Sequence, residues 1–234
     1  MNKSSEDIIK IKDLANEYRL GETIVNALID VNLCVEQKSV VSIIGPSGSG
    51  KTTLLNMIGG LDRPSKGQVI MDGFDLSSLP ENKLYKIRRS RIGFIFQHFY
   101  LIPTLTALEN ILVPTIPIRD NDFKDKAKNL LSYVGLINRQ NHKPSQLSGG
   151  EQQRVAICRA LINEPEVLLC DEITGELDTE TGKQILKLLK KINQEKGTTI
   201  ILVTHDEKIA EESNRIITLS DGRIVNDKVK ESSI

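Results

Sequence analysis

Residues 45–53, GPSGSGKTT, carry the most specific chemical pattern of the chain. They match the spacing G-x-x-x-x-G-K-[ST] and lie between an apolar run, VVSII, and a helical pattern, LLNMIGGL. Glycines let successive backbone N–H groups of such a loop point at phosphate oxygens, and the following helix adds its positive dipole end. The lysine reaches the outer phosphates, and the first threonine offers a hydroxyl to Mg²⁺. We therefore expect a nucleotide-phosphate site formed by Gly45, Pro46, Ser47, Gly48, Ser49, Gly50, Lys51, Thr52 and Thr53.

Two neighbouring carboxylates follow the apolar run EVLLC, residues 166–170. Asp171 is expected at the carboxyl end of a buried strand, where it can hold Mg²⁺ through water together with Thr52. Glu172 would point elsewhere and can orient or deprotonate an attacking water. Taken alone, the two acids could be a solvated charge pair at a strand end, but the phosphate loop favours the metal and water roles.

The segment LSGGEQQRV, residues 147–155, begins another helix. Ser148 and Glu151 have the spacing of a capping box, in which the hydroxyl and the carboxylate each accept a free backbone N–H. Gly149 and Gly150 are not needed for a cap, and glycine lowers helix stability. Their bare backbone at a helix N-terminus predicts a second anion-binding surface, with simple capping as the alternative for so short a motif.

Two phosphate-binding elements in one chain suggest how copies of the chain assemble. A single nucleotide cannot easily contact both elements, because the loop at Lys51 already surrounds its phosphates. A two-fold dimer solves this, with each ATP held between the phosphate loop of one copy and the Ser148 turn of the other. We therefore expect a second ATPase subunit as partner, in an ATP-sandwich homodimer.

Apolar runs alternate with amphipathic patterns along the chain, which predicts an α/β fold. The runs at 40–44, 92–96, 166–170 and 199–204 are continuous, as in strands buried on both faces. Helical patterns between them imply right-handed crossovers and a mainly parallel sheet. IIKIKDLANEY near the N-terminus and the hairpin-like pieces GQVIMDG and RIITLSDGRIVND are typical of antiparallel pairing. The fold is expected to include an N-terminal antiparallel β part.

Strand patterns vanish from about residue 100 to residue 143, where prolines interrupt helical patterns. This stretch is interpreted as a helical lobe inserted into the α/β core. The expected organisation is a single domain over residues 1–234, with a core of about 1–97 and 160–228, a helical lobe of about 98–159 and a flexible tail at 229–234.

Composition excludes several classes of function. Lys and Arg total 31 and Asp and Glu total 31, so no net field favours nucleic acid. The three cysteines show no paired spacing, which favours a reducing compartment. The sequence shows neither a signal-peptide apolar region nor an apolar run long enough to span a membrane. We therefore expect a cytoplasmic protein that binds no nucleic acid and works at a membrane only through a partner.

The segment LSGGEQQRVAICRAL, residues 147–161, resembles the signature of ABC-type ATPase domains, and VLLCDE follows it as in that family. The resemblance spans about residues 8–226 and implies a P-loop NTPase core, with RecA-like and β parts, that carries an inserted helical lobe. It implies ATP and Mg²⁺ as cofactors and hydrolysis of ATP to ADP and phosphate. It also implies a cycle in which ATP closes the dimer and loss of phosphate reopens it.

Four further residues match motifs of this family, in order along the chain. The resemblance implies that Tyr18 stacks on adenine, and that Gln97 senses Mg²⁺ and the attacking water while linking to the helical lobe. It implies that Asp178 communicates across the dimer and that His205 contacts the γ-phosphate. The residues alone would also allow a strand aromatic at Tyr18, a loop amide at Gln97, a helix N-cap at Asp178 and a strand-end histidine at His205.

Within the family, RIGFIFQHFYLIPTLTALENILVP resembles the branch that serves lipoprotein release, macrolide efflux and antimicrobial-peptide export. That branch implies an integral membrane permease docked on the helical lobe, and a location on the cytoplasmic face of the membrane. The apolar stretch 99–113 fits a docking groove for a short helix of the permease, while core packing is the alternative for about half of its residues.

Two residues depart from the family pattern. Ile173 stands where proline usually follows the catalytic glutamate, and Glu176 stands where a small residue or asparagine is common. Losing the proline frees φ at that position and restores a backbone donor, and Glu176 adds a negative charge near a partner's nucleotide. We expect slower turnover or altered coupling between the two copies, with hydrolysis retained because Glu172 is intact.

Other classes of nucleotide-binding protein fit less well. A nucleotide kinase would need a lid and an acceptor site and has no use for LSGGEQQR. A chromosome clamp would need a long coiled coil, and translation-associated relatives carry two such domains. A cell-division type ATPase, which regulates a membrane partner without moving a substrate, remains the alternative to an exporter.

Overall fold

A computed structural model of the chain describes residues 7–21, 23–118 and 122–230. Within these ranges ten strands form two sheets, accompanied by seven α-helices. The strands are β1 (Asp7–Leu20), β2 (Thr23–Glu36), β3 (Val40–Ile44), β4 (Lys66–Met71), β5 (Phe74–Asp75), β6 (Ile92–Phe96), β7 (Val167–Asp171), β8 (Thr199–Val203), β9 (Arg215–Ser220) and β10 (Arg223–Val229). The helices are α1 (Lys51–Ile58), α2 (Glu81–Arg91), α3 (Ala107–Leu112), α4 (Phe123–Tyr133), α5 (Gly149–Leu161), α6 (Thr179–Lys196) and α7 (Glu207–Ala210).

The larger sheet has six strands in the order β10-β9-β3-β8-β7-β6. Neighbouring strands from β9 to β6 run parallel, and β10 pairs antiparallel with β9. All four continuous apolar runs form strands of this sheet, which confirms the predicted mainly parallel α/β fold. Three boundaries differ by one residue, because β7 begins at Val167 and ends at Asp171, and β8 ends at Val203.

Both faces of the larger sheet are buried, as its uninterrupted apolar strands require. In β8, Ile201 and Val203 point into one core, and Ile200 and Leu202 point into the other. The first core lies against α1, α2 and the smaller sheet, and the second lies under helices α3 to α6. The sheet is therefore the central layer between two separate apolar cores.

The smaller sheet is antiparallel, with the order β2-β1-β4-β5. It confirms the predicted N-terminal antiparallel part and also contains β2, a strand missing from the prediction. In the second half of β2, Val31, Leu33 and Val35 are buried and the residues between them are exposed. That alternation is a strand signal, although its polar residues break up any continuous apolar run.

Helices α3, α4 and α5 lie between β6 and β7, and α3 and α4 fall within the stretch where strand patterns vanish. Their apolar faces meet in the second core, where Ala107, Ile111, Leu131 and Val155 are fully buried. None of the helices in the described ranges is both long and apolar enough to cross a membrane. The predicted limits of the helical lobe remain a prediction, and residues 231–234 of the predicted tail lie outside the described residues.

Helix α5 packs against α6 through the second glycine of its first turn. An ideal Cβ on Gly150 would lie 2.4 Å from Thr181 Cγ2, closer than real Cβ atoms come to other atoms. A Cβ on Gly149 would meet Leu177 Cδ2 at 3.4 Å, an ordinary van der Waals contact. Packing inside the chain therefore requires glycine at position 150 but not at position 149.

We expect Gly150→Ala to lower the free energy of unfolding by about 1–3 kcal/mol, because the added methyl group overpacks the contact between α5 and α6. The matched control Gly149→Ala should be neutral or stabilising by up to about 1 kcal/mol, since alanine favours helices. Thr181→Ser removes the clashing Cγ2 and should restore most of the stability lost in Gly150→Ala. Urea denaturation compares Gly150→Ala, Gly149→Ala and the combined Gly150→Ala/Thr181→Ser variant with wild type, and equal stability of the two single alanine variants would contradict the packing role.

Candidate active site

The loop between β3 and α1 has the geometry expected of a phosphate cradle. Gly48 and Gly50 adopt φ values of +78° and +100°, a region that favours glycine. A Cβ on Gly50 would lie 2.4 Å from the carbonyl oxygen of Ala27, whereas a Cβ on Gly48 would meet no described atom within 4 Å. The loop therefore turns tightly against the protein on one side and stays open on the other.

Lys51 lies inside this loop at the start of α1, with 7% of its surface exposed. Its Nζ donates to the carbonyl oxygens of Gly45 at 2.9 Å and Pro46 at 2.8 Å. Ser49 Oγ is buried and lacks a hydrogen-bond partner among the described residues, and no side chain among them caps the N-terminus of α1. A free helix N-terminus, a nearly buried ammonium and an orphaned hydroxyl fit the phosphates of a nucleotide.

Thr52 and Asp171 converge from α1 and from the last residue of β7. Thr52 Oγ1 donates to Asp171 Oδ1 at 3.3 Å. Burial raises the pKa of Asp171, the Thr52 hydroxyl opposes that rise, and the charge of Glu172 adds to it. The described ranges contain no cluster of three or more His, Cys, Asp or Glu residues suited to a metal. One hydroxyl and one carboxylate still fit Mg²⁺, which usually takes few protein ligands and keeps phosphate and water oxygens.

Glu172 and His205 meet at the ends of two neighbouring parallel strands, β7 and β8. His205 Nδ1 lies 3.3 Å from Glu172 Oε1, and the Glu172 N–H donates to the Val203 carbonyl oxygen at 2.9 Å. Glu172 has a φ of +46°, which is uncommon for a residue other than glycine. The contact with His205 at the carboxyl ends of parallel strands agrees with a catalytic position for this carboxylate.

Gln97 follows β6, the strand next to β7. A Cβ on Gly175 would lie 3.0 Å from Gln97 Nε2, so the side-chain amide rests against the loop that follows Glu172. The structure thus brings Gln97 to the loop of the proposed base. The roles of Gln97 toward Mg²⁺ and the attacking water remain predictions.

Tyr18 lies on β1 and keeps 37% of its surface exposed. Its hydroxyl donates to Asp62 Oδ2 at 2.8 Å. Burial raises the pKa of the phenol and the Asp62 carboxylate raises it further, while a side-chain hydrogen bond with Thr53 lowers it. Tyr18 therefore lies beside the phosphate loop with an accessible ring, and its stacking on adenine remains a prediction.

The Ser148 turn forms the capping box that its spacing predicts. Ser148 Oγ accepts from the Glu151 N–H at 3.3 Å, and the Ser148 N–H donates to Glu151 Oε2 at 2.8 Å. That backbone donor holds the pKa of Glu151 below its ordinary value. Gly150 is buried against α6, whereas Ser148 is exposed and Gly149 is partly exposed. Ser148 and Gly149 are therefore the accessible part of the turn. Anion binding by this turn remains a prediction.

Asp178 is the N-cap of α6, as in the second interpretation of this residue from the sequence. Its Oδ1 accepts from the N–H groups of Glu180 at 3.1 Å and Thr181 at 3.0 Å, and its Oδ2 accepts from Thr181 Oγ1 at 2.5 Å. The Thr181 hydroxyl and backbone hold the pKa of this carboxyl below its ordinary value. A further role across a dimer interface is compatible with its exposed position and stays a prediction.

Two contacts and one buried position of the site have no local signal in the sequence. Asp62 holds Tyr18 from a position 44 residues away. His98 Nδ1 lies 2.5 Å from Glu176 Oε1, so the charge of Glu176 is engaged within the chain. Ile173 is 4% exposed and belongs to the second core, so the residue that replaces the family's proline is a core residue.

Several known proteins are similar to this chain in sequence and in fold. The sequence model of the ABC transporter family matches residues 28–175. An ABC transporter ATP-binding protein of Methanocaldococcus jannaschii, MJ0796, is 49% identical over 223 residues, which are 93% of this chain and 95% of that protein. The macrolide export ATP-binding/permease protein MacB of Bartonella quintana is 44% identical over 233 residues, which are 97% of this chain and 34% of MacB.

A solved structure of MJ0796, described as a dimeric post-hydrolysis state bound to ADP and Pi, matches with a TM-score of 0.88 and 46% sequence identity. The match covers 96% of this chain and 99% of that one. This chain therefore spans almost all of the archaeal relative but about a third of MacB. The chain belongs to the ABC transporter family and is an ATP-binding, ATP-hydrolysing cassette of that family.

Proposed function

We propose that this chain is the ATPase subunit of an ABC transport complex, and that its ATP-bound homodimer drives an integral membrane permease for export of a lipoprotein, a macrolide or a peptide. The observation that carries the proposal is the convergence of Lys51, the Thr52–Asp171 pair and the Glu172–His205 pair at one edge of the sheet. The name of the MacB relative, an ATP-binding/permease protein, supports the transport role. The subunit works on the cytoplasmic face of the membrane.

ATP binds with its phosphates on the loop that contains Lys51. Backbone N–H groups at the start of α1 donate to phosphate oxygens, and Lys51 exchanges its two carbonyl partners for the outer phosphates. Thr52 and Asp171 would hold Mg²⁺, which would neutralise phosphate charge. Tyr18 offers its exposed ring face to adenine, with its hydroxyl held by Asp62.

Hydrolysis requires a base for the attacking water and donors for the γ-phosphate. Glu172 accepts the proton of the water on its carboxylate, and Gln97 orients that water from the neighbouring loop. Because His205 faces Glu172 through Nδ1, its Nε2 is left to contact the γ-phosphate. The water oxygen then bonds to phosphorus as the bond from phosphorus to the β-phosphate oxygen breaks, which yields ADP and phosphate.

The Ser148 turn completes the site of a second copy. Helix α5 has 13 residues, so its N-terminus carries a substantial positive dipole end, and Ser148 and Gly149 leave this end accessible. We assign it to the γ-phosphate of an ATP that is bound on the phosphate loop of the partner subunit. Dimeric structures of the archaeal relative support a homodimer. In such a dimer Asp178 lies on the loop that faces the other copy.

A surface groove of about 600 Å³ is the proposed docking site of the permease. Its walls are α2, β6, the residues after β6 and the turn that follows α3, and they are formed in part by Tyr85, Phe94, Tyr100, Val113 and Pro114. Tyr100 keeps 63% of its surface exposed, which is high for an aromatic residue without a partner chain. Most of its surface is apolar, which suits the apolar face of a short amphipathic helix.

Only part of the stretch predicted to form this groove lines it. Tyr100 and Val113 do so, whereas Ala107, Leu108 and Ile111 are buried in the second core. Core packing, the alternative considered for about half of this stretch, therefore describes its middle. The docking surface consists of the two ends of the stretch together with residues of α2.

We expect Glu172→Gln to bind MgATP and to lower the hydrolysis rate by about 100-fold or more, because the amide cannot accept the proton of the water. The unhydrolysed nucleotide should then hold two copies together. Steady-state phosphate release and light scattering after size-exclusion chromatography in MgATP measure the two effects. Glu211→Gln, at an exposed glutamate directly after α7, is the control and should behave as wild type. Wild-type hydrolysis by Glu172→Gln would remove the base role.

We expect Tyr85→Asp to weaken binding of the permease strongly, because it removes an aromatic contact surface from the groove wall and replaces it with a carboxylate. Tyr85 is 41% exposed, so the core should not change, and basal hydrolysis should stay at the wild-type level. Val225→Asp, at an exposed apolar residue of β10, is the matched control. Affinity purification from detergent-solubilised membranes of the source cells, followed by mass spectrometry, identifies the permease. Its equal recovery with both variants would refute docking at this groove.

A further inference from the structure

We infer that Glu176 is a positioning residue, which acts through His98 to set the separation between the loop that carries Gln97 and the loop that carries Glu172. The inference rests on the proposed catalytic roles of Gln97 and Glu172. The sequence suggested that Glu176 adds a negative charge near the nucleotide of a partner copy. In the structure its carboxylate instead faces His98 of the same chain.

The two loops leave neighbouring strands side by side. Phe96 and Asp171, the last residues of β6 and β7, are partners in the parallel register. Beyond them, successive residues of one loop contact successive residues of the other. The Gln97 amide rests against Gly175, and the His98 ring faces Glu176, with Nδ1 and Oε1 2.5 Å apart. The loops are therefore joined at two adjacent points, one by packing and one by a polar contact.

The loop after β7 transmits this contact to the proposed base. The Gly175 N–H donates to the Glu172 carbonyl oxygen at 2.9 Å, and the Leu177 N–H donates to the Thr174 carbonyl oxygen at 3.0 Å. These turns make residues 172–177 a compact unit, and burial of Ile173 fixes its inner side. Displacement of Glu176 would therefore displace Glu172 relative to Gln97.

His98 is also connected to the proposed docking groove. Its ring packs edge-on against Tyr100 with 5.9 Å between ring centroids, and Tyr100 in turn packs edge-on against Phe96 at 5.4 Å. Arg159 of α5 holds the backbone of this loop by donating to the carbonyl oxygens of Phe99 and Tyr100. A helix bound in the groove would thus contact Tyr100, which packs on His98, which in turn faces Glu176.

Stability does not explain the contact. The side chains of His98 and Glu176 are 64% and 36% exposed, and polar pairs at that exposure contribute little to the free energy of unfolding. A contact of this kind matters where geometry limits a rate, because small misplacements of catalytic groups slow chemistry strongly. Loss of the pair should therefore change kcat and leave the thermal midpoint within about 2 °C of wild type.

The test is a double-mutant cycle on steady-state ATP hydrolysis by the full chain. The variants are His98→Ala, Glu176→Ala and the double variant, with Glu211→Ala as a control at an exposed glutamate directly after α7. We expect each single variant to lower kcat about tenfold with the KM for ATP within about twofold of wild type. The double variant should be no slower than the slower single variant, because both remove the same contact.

Two further results keep this inference separate from the proposed function. Glu176→Gln keeps an oxygen acceptor for His98 and should recover most of the kcat that Glu176→Ala loses. A kcat for the double variant equal to the product of the single effects, or a wild-type kcat for Glu176→Ala, would overturn the positioning role. In both cases the loss of hydrolysis in Glu172→Gln would be unaffected, so the base role would stand on its own test.

Discussion

The parallel pairing of β3, β8, β7 and β6 is the constraint on which the site depends. Parallel strands present their carboxyl ends at a single edge, and the register places Ile43 opposite Val203, and Val203 and Phe96 opposite Asp171. The site lies at these strand ends: the phosphate loop follows β3, Asp171 and Glu172 lie at the end of β7, and His205 and Gln97 lie just after β8 and β6. Because each strand buries both faces, a slip of one residue would exchange the two apolar cores, so packing holds the catalytic geometry.

The charged groups at this edge of the sheet are few, and their burial and their partners determine how they can act. Lys51 is almost buried and satisfied by two carbonyl oxygens, which are weak partners that a phosphate can replace. Asp171 has a pKa raised by burial, so a bound cation would relieve an existing cost. Each of these groups is held in an arrangement that a nucleotide with its metal would satisfy better.

Local patterns predicted the strands of the larger sheet, the phosphate loop and the capping box at Ser148, because each depends on residues a few positions apart. The contacts that tune the site depend on distant residues and could not be predicted in that way. Examples are Tyr18 with Asp62, His98 with Glu176, and Gly150 with Thr181. The contact of Gly150 with Thr181 shows that this glycine of the signature serves packing inside the chain. The sequence alone could not distinguish this role from anion binding.

The central claim is that one ATP is bound by Lys51 of one copy and by the Ser148 turn of another. Mixing a Lys51→Ala chain with a Ser148→Arg chain, both in the Glu172→Gln background, tests it directly. Only mixed dimers would contain an intact composite site, one of their two, so retained MgATP should recover to as much as about half of the Glu172→Gln value, while each variant alone retains almost none. Failure of the mixture to retain more MgATP than the separate variants would contradict the account.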